Sequence, residues 1–425
     1  MKALTKISIG FLALAAVALW FTSCSSEDVA QNGGSQSDKE SLLTLTINTG
    51  KIMGSRTTDW TSDPAGANES KISAITIGIF DGNTRNVKAI IEPAKGTDDA
   101  TPGDNQFTYS TTDKKITAKV IAKALSANDD VLVAVNPAGK DKFASVSDEN
   151  SFNAVTESLS EALGTGTSQD NTNIPMYGTG KLFAASSTNT NSFKADDIVV
   201  KRLLAKITLD NLSVDFKGIY AGAEFKPTCC FLINVPEKLK FADGKNSWDM
   251  SDAFNSGWAS YDSSTGSFTY TTANSDIVGT FKEFLTTKDL PGATPALKGT
   301  DVYGGSSSPS KVYFYTMPNG NDKASAKNTK LVIAGKFKAN SSAQEQMVYY
   351  PVPLNVNIAA GGGETTGLSG EDMYKVYPNK NYKCAVTIKT IGVANPNLNL
   401  DKQDAIITIK VKDWTSVNQT TIFDN

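Results

Sequence analysis

The sequence predicts a mainly all-β protein: two tandem β-sandwich domains with one or two short helices. Three observations carry that expectation. Apolar or alternating runs of five to eleven residues recur along the 425-residue chain, separated by long polar loops. Helical periodicity is weak almost everywhere. Hydrophobic residues make up 40% of the chain and charged residues 20%, the balance of a protein with real cores. At about 150 residues per domain the length suits two or three of them.

Residues 1–23 read as an export signal rather than as structure. Lys2 and Lys6 flank the start of an apolar stretch of 14 residues, 7–20. A membrane-spanning helix needs roughly 20. The stretch ends in Phe21-Thr22-Ser23-Cys24, followed by Ser25-Ser26-Glu27-Asp28. Small residues before Cys24 resemble a bacterial lipobox, in which Cys24 would be lipidated and become the mature N-terminus on the outer membrane. Phe21 stands where Leu is usual. The Ser-Ser-Glu-Asp run resembles the acidic tag of surface-exported lipoproteins.

Residues 25–40, rich in Ser, Gly, Gln, Asp and Glu, form a tether. Residues 42–47 (LLTLTI) then give the first strand, with Leu43, Leu45 and Ile47 on one face. It runs into a Gly-rich polar loop containing Arg56, one of only three arginines in the chain. Residues 72–80 (ISAITIGIF) alternate and end in the turn Asp81-Gly82-Asn83. Residues 131–135 (VLVAV) read as a strand buried on both faces, and residues 199–209 (VVKRLLAKITL) as one long strand. Residues 118–125 and 151–163 are the best helix candidates. A boundary near residue 210 divides a first domain, 57–210, from a second, 211–425. The second contains runs at 229–235, 312–317, 331–337, 348–356, 382–390 and 405–414. Pro351 and Pro353 place their strand on an edge or at a bulge.

The composition excludes much chemistry. The chain contains no histidine, which removes the commonest general base, the commonest zinc ligand and every Ser-His or Cys-His pair. A net charge of −3 supplies no basic surplus for nucleic acid. Gly361-Gly362-Gly363 lacks the strand–helix setting and Lys-Ser/Thr of a phosphate loop. Asp129-Asp130 and Asp196-Asp197 are adjacent, so each pair points to opposite faces of a strand, and they read as solvated loop charges. Cys229, Cys230 and Cys384 read as small buried hydrophobes, with a bridge to Cys384 as the alternative. No enzyme activity, metal or cofactor is expected.

The two ends of the chain repeat one pattern. Residues 42–47 and 406–411 (IITIKV) are both apolar, apolar, Thr, apolar, polar, apolar. Leu43, Leu45 and Ile47 match Ile407, Ile409 and Val411 in spacing, so the two strands could fill the same three pockets. Were the front strand cut away, the C-terminal strand of another molecule could add into the opening by β-augmentation. Such a contact is head to tail and builds a filament.

The chain resembles the fimbrillins of Bacteroidales, subunits of the type V pilus. The resemblance rests on residues 72–80, 133–137 (VAVNP), 174–178 (IPMYG) and 200–207 (VKRLLAKI). It extends to residues 231–236 (FLINVP), 377–382 (YPNKNY) and 409–423 (IKVKDWTSVNQTTIF). It implies two sandwich domains of Greek-key-like, transthyretin-type topology and export as a lipoprotein precursor. An Arg- or Lys-specific surface protease would then remove a propeptide, residues 24–56, by cutting Arg56-Thr57. Leu43, Leu45 and Ile47 would leave with the displaced strand. Ile407, Ile409, Val411 and Trp414 would belong to the donor strand of a homopolymer that includes other fimbrial subunits and serves adhesion. Arg85 and Lys51 are rival cleavage sites, whereas Arg202 lies in a strand and should be protected. A tip or accessory adhesin and a non-polymerising, glycan-binding surface lipoprotein are the competing functions.

Overall fold

The computed structural model describes residues 39–49, 68–186, 188, 191–258, 260–269, 279–287, 290, 296–303, 312–360, 363–366, 373–401 and 404–413. The principal strands of the first half are β1 (Glu40–Asn48), β2 (Ile75–Phe80), β3 (Val87–Ile91), β4 (Gln106–Ser110) and β5 (Lys115–Lys123). They continue with β6 (Asp130–Val135), β7 (Thr156–Ser158), β8 (Met176–Lys181), β9 (Ser192–Val199) and β10 (Lys201–Arg202). The second half supplies β11 (Ala205–Val214), β12 (Glu224–Ile233), β13 (Lys238–Lys240), β14 (Val312–Thr316) and β15 (Lys330–Lys338). It ends with β16 (Gln346–Pro353), β17 (Val356–Ile358), β18 (Lys380–Ile388) and β19 (Ala405–Asp413).

Four sheets organise all of these strands except β7 and β13, which pair with each other. In the first, β9, β1, β5 and β4 lie in that order between two short edge strands, and the second runs β10-β8-β6-β2-β3. Leu43, Leu45 and Ile47 of the first sheet share one buried core with Ile77, Ile79, Val131 and Val133 of the second. The third sheet runs β14-β11-β18-β19-β17, and the fourth contains β12-β15-β16. Ile207, Leu209, Ile407 and Ile409 of the third sheet share a core with Cys230, Leu232, Leu331 and Ile333 of the fourth. The protein is thus all-β with a few short helices, its sheets consistent with tandem β-sandwiches.

Several elements differ from the sequence reading. Residues 118–125, expected to be helical, lie mostly in β5. Its burial alternates strictly, with Ile116, Ala118, Val120 and Ala122 inward and Thr117, Lys119 and Ile121 between them on the outer face, so period 2 overrides helix propensity. The second helix candidate holds two five-residue helices, α1 (Glu149–Asn153) and α2 (Leu159–Leu163), each with a capping box, and β7 between them. The run 199–209 is split among β9, β10 and β11, which belong to three different sheets. Val199 and Lys201 are exposed at the first division, but from Arg202 to Leu209 every residue is buried, so no polar break marks the second. Residue 210 falls inside β11, whose partners β14 and β18 both come from the second half.

Other expectations hold. β6 is buried along its whole length in the middle of its sheet, and the proline-bearing β16 is an edge strand. Cys229, Cys230 and Cys384 are buried and form no disulfide. Asp129 and Asp130, read as solvated, are buried instead, at 2% and 8% exposure. Lys88 reaches Asp129 at 2.8 Å, while Lys181 and Arg85 lie 2.7 and 3.2 Å from Asp130. Adjacent residues on opposite strand faces found separate cations, which a run of two aspartates does not announce.

Candidate functional site

β1 sits inside its sheet, third of six strands. All nine of its residues pair antiparallel with β5, from Glu40 opposite Lys123 to Asn48 opposite Lys115. On its other side it runs parallel to β9, from Leu42 opposite Ser192 to Asn48 opposite Val199, with a register shift between Leu45 and Ile47. At that bulge Asp197 takes a positive φ of 58°, and its carboxylate accepts a 2.9 Å hydrogen bond from the Asn48 amide. Leu43, Leu45 and Ile47 are 0% exposed, while Leu42, Thr44 and Thr46 are half-buried on the outer face. Burying three such side chains stabilises the slot's occupant by roughly 5–9 kcal/mol before entropy is counted.

The C-terminal strand repeats the one-sided burial. Ala405, Ile407 and Ile409 are buried, whereas Thr408 and Lys410 are exposed. β19 nevertheless stands inside its own sheet: it pairs with β18 over all nine residues and meets β17 where Ile407 faces Ile358. The Ile409 amide also donates to the Asn357 side-chain oxygen at 2.6 Å. Val411 opposes Tyr382 in the same ladder. The sequence match between the two end strands gave no hint that the second is already paired in its own subunit. Cys24, Lys51, Arg56, Thr57 and Trp414 lie outside the described residues.

The two other arginines are locked. Arg202 is 3% exposed, and burial pulls its guanidinium below the usual arginine range, with Glu69 opposing that shift. The Arg85 side chain is half exposed, but it is ion-paired to Glu149 and Asp130. Its backbone is fixed as well. Its N–H donates to the Asp81 carbonyl at 2.8 Å, its own carbonyl accepts from Glu149 N–H at 3.1 Å, and its φ is 64°. A protease must draw several residues into an extended conformation, so an arginine whose own N–H and carbonyl are both bonded in a tight turn is a poor substrate.

The buried ionisable groups do structural work. Glu157 on β7 is pushed up to about 7, first by burial. Its Oε2 accepts from Ala138 N–H at 2.8 Å and lies 3.6 Å from Lys142, which also binds Glu161. The thiol of Cys384 is pushed up to about 12 by burial, which leaves it inert at neutral pH. Among the described residues no three metal-ligating side chains cluster. Sequence reasoning missed Glu157 and the buried trio Glu69, Lys206 and Tyr315. The only available signal was Lys206 itself, a charge placed inside an apolar run.

No family model matches the chain, and no curated protein matches it. Solved structures do. A protein ascribed to cell adhesion from Bacteroides eggerthii superposes with a TM-score of 0.57 at 17% identity, covering 90% of this chain and 98% of its own. A second, from Parabacteroides distasonis, gives 0.57 at 16% identity, covering 89% and 98%. A fimbrillin from Porphyromonas gingivalis gives 0.52 at 17% identity, covering 89% and 99%. At such identities the likeness is one of fold: across nearly its whole length the chain is built like these proteins ascribed to cell adhesion and this fimbrillin.

Proposed function

We propose that the chain is a structural subunit of a cell-surface fimbrium, exported as a lipoprotein precursor and polymerised after proteolytic release of its first strand. The observation that carries this reading is the position of β1. It is an interior strand with three fully buried apolar residues, and it stands ahead of Arg56 in the sequence, whereas the other two arginines are held in the folded structure. Cleavage at Arg56-Thr57 by an Arg- or Lys-specific protease cuts the only covalent tie between β1 and the rest of the mature chain. The vacated slot then presents unpaired backbone on both sides, from β5 and β9, with three apolar pockets between them. A C-terminal strand carrying Ile407, Ile409, Val411 and Trp414 from another copy refills it. The donor must first leave β18 and β17, so the exchange trades one nine-residue ladder for another.

In this reading residues 1–23 are the signal, Cys24 carries the lipid and 24–56 is the propeptide. Two sandwich domains follow, 57–210 and 211–425. The head-to-tail contact generates an open filament on the outer membrane. Arg56→Ala is expected to remain a membrane-bound precursor and to form no polymer. Polymer formed by that variant would overturn the reading.

A further inference from the structure

The segment that follows the release loop is held residue by residue. Glu69, in the 3-10 turn Asn68–Ser70, is 3% exposed. Its carboxylate Oε1 accepts from Lys206 Nζ at 2.9 Å and from the Tyr315 hydroxyl at 2.6 Å. Lys206 and Tyr315 face each other across β11 and β14, in the sheet of the other half. Lys206 is completely buried, with its ammonium 4.6 Å from the centre of the Tyr313 ring. Tyr315 is fixed in turn by Gln169, which bonds both its N–H and its carbonyl at 2.7 Å. Arg202 Nη2 donates to the Glu69 carbonyl. Further along, Asn136 Nδ2 takes the Lys71 carbonyl at 2.9 Å and Lys95 Nζ takes the Ile72 carbonyl at 2.7 Å. So much fixation of a nearly irregular segment is not needed to hold β2, whose own ladder is complete.

We propose that Glu69 is a latch that fastens the start of the mature chain to the second half's sheet, so that losing β1 leaves the joint between the halves intact. The proposal rests on the release of β1 described above. An opposite pair of charges taken out of water is stable only while both members are present, and removing one leaves the other buried and uncompensated. The latch therefore gives way as a unit: without the Glu69 carboxylate the Lys206 ammonium loses its ion partner, and the turn at residue 69, whose backbone carbonyl accepts from Arg202, is no longer tied to β11 and β14.

The three arginines make the test clean. Full-length precursor is treated with an arginine-specific endoprotease, and its fragments are weighed. Wild type is expected to be cut once, leaving 57–425. Glu69→Ala is expected to be cut at Arg202 as well, at least ten-fold faster than wild type, giving 203–425, with no matching rise at Arg85. That ratio separates latch loss from general unfolding, which exposes both arginines together. The double variant Glu69→Gln with Lys206→Met removes both charges, keeps an acceptor for Tyr315, and is expected to return towards wild type. Equal Arg202 rates in wild type and Glu69→Ala, or a parallel rise at Arg85, would overturn the latch. Should Glu69→Ala not fold, Tyr315→Phe takes its place, with a smaller selective rise at Arg202 expected and an unchanged rate counting against the proposal. If Arg56 resists cutting while Glu69→Ala alone opens Arg202, the release of β1 is wrong and the latch stands.

Discussion

β1 and β11 hold the same place in the two halves, and their differences define the function. Each opens its half, and each runs parallel to a late strand, β9 or β18, across a bulge. Each pairs antiparallel on its other side, with β5 or β14. β11 is buried on both faces near its start, where Lys206 and Thr208 lie opposite Ile207. It also follows β10 after only two residues, so no single cut near it frees it from both neighbours. β1 is buried on one face only, carries no charge between Leu42 and Ile47, and is joined to the rest through the stretch of sequence that contains Arg56. In the proposed reading the same slot holds a permanent strand in one half and a removable strand in the other, and the difference lies in covalent context and in the second face rather than in the pairing itself.

The sharpest way to break this comparison is a pair of core truncations. Leu45→Ala and Ile207→Ala should each destabilise the uncut precursor by about 2–5 kcal/mol. After cutting at Arg56 and loss of β1, the Leu45 variant should melt like processed wild type, while the Ile207 variant keeps its deficit. Equal deficits in the processed forms would mean that β1 never left.

The joint between the halves gives the next effect. β7 of the first half pairs with β13 of the second, and Glu157 at its centre is 1% exposed. Its carboxyl is raised from its ordinary 4.5 to about 7. The unfolded chain therefore loses this proton at lower pH than the folded one. Stability is fully present below about pH 4.5 and is lost as pH rises to 7, by about 3 kcal/mol. Glu157→Gln should flatten that part of the melting curve against pH. An unchanged slope would assign the dependence to other groups.

The smallest effect is expected at Arg85. Glu149→Gln removes one ion partner of a solvent-exposed side chain and should shift the melting temperature too little to resolve. It should also leave Arg85 uncut, because the backbone bonds of the turn persist. A cut there would show that the ion pair, and not the turn, protects this arginine.

Legibility in the sequence followed the range of the interactions. β1, β6 and the one-sided burial of β19 were visible because alternation and burial are written locally, as were the edge position of β16 and the buried cysteines. β5 was misread because Ala118, Ala122 and Lys119 suit a helix, and only its neighbours β1 and β4 make it a strand. Asp129 and Asp130 looked solvated because Lys88, Lys181 and Arg85 all lie 41 or more positions away in the chain. Glu69 was illegible for the same reason. Its two partners are 137 and 246 residues distant, and its own neighbours Asn68 and Ser70 spell a loop.

The most direct test of the central claim is the N-terminal sequence of the surface-exposed form, read beside a denaturing gel run with and without boiling. The account predicts a start at Thr57 and a ladder of oligomers that collapses to a single band on heating. A chain that still begins at lipidated Cys24 and runs as one band without boiling would contradict it.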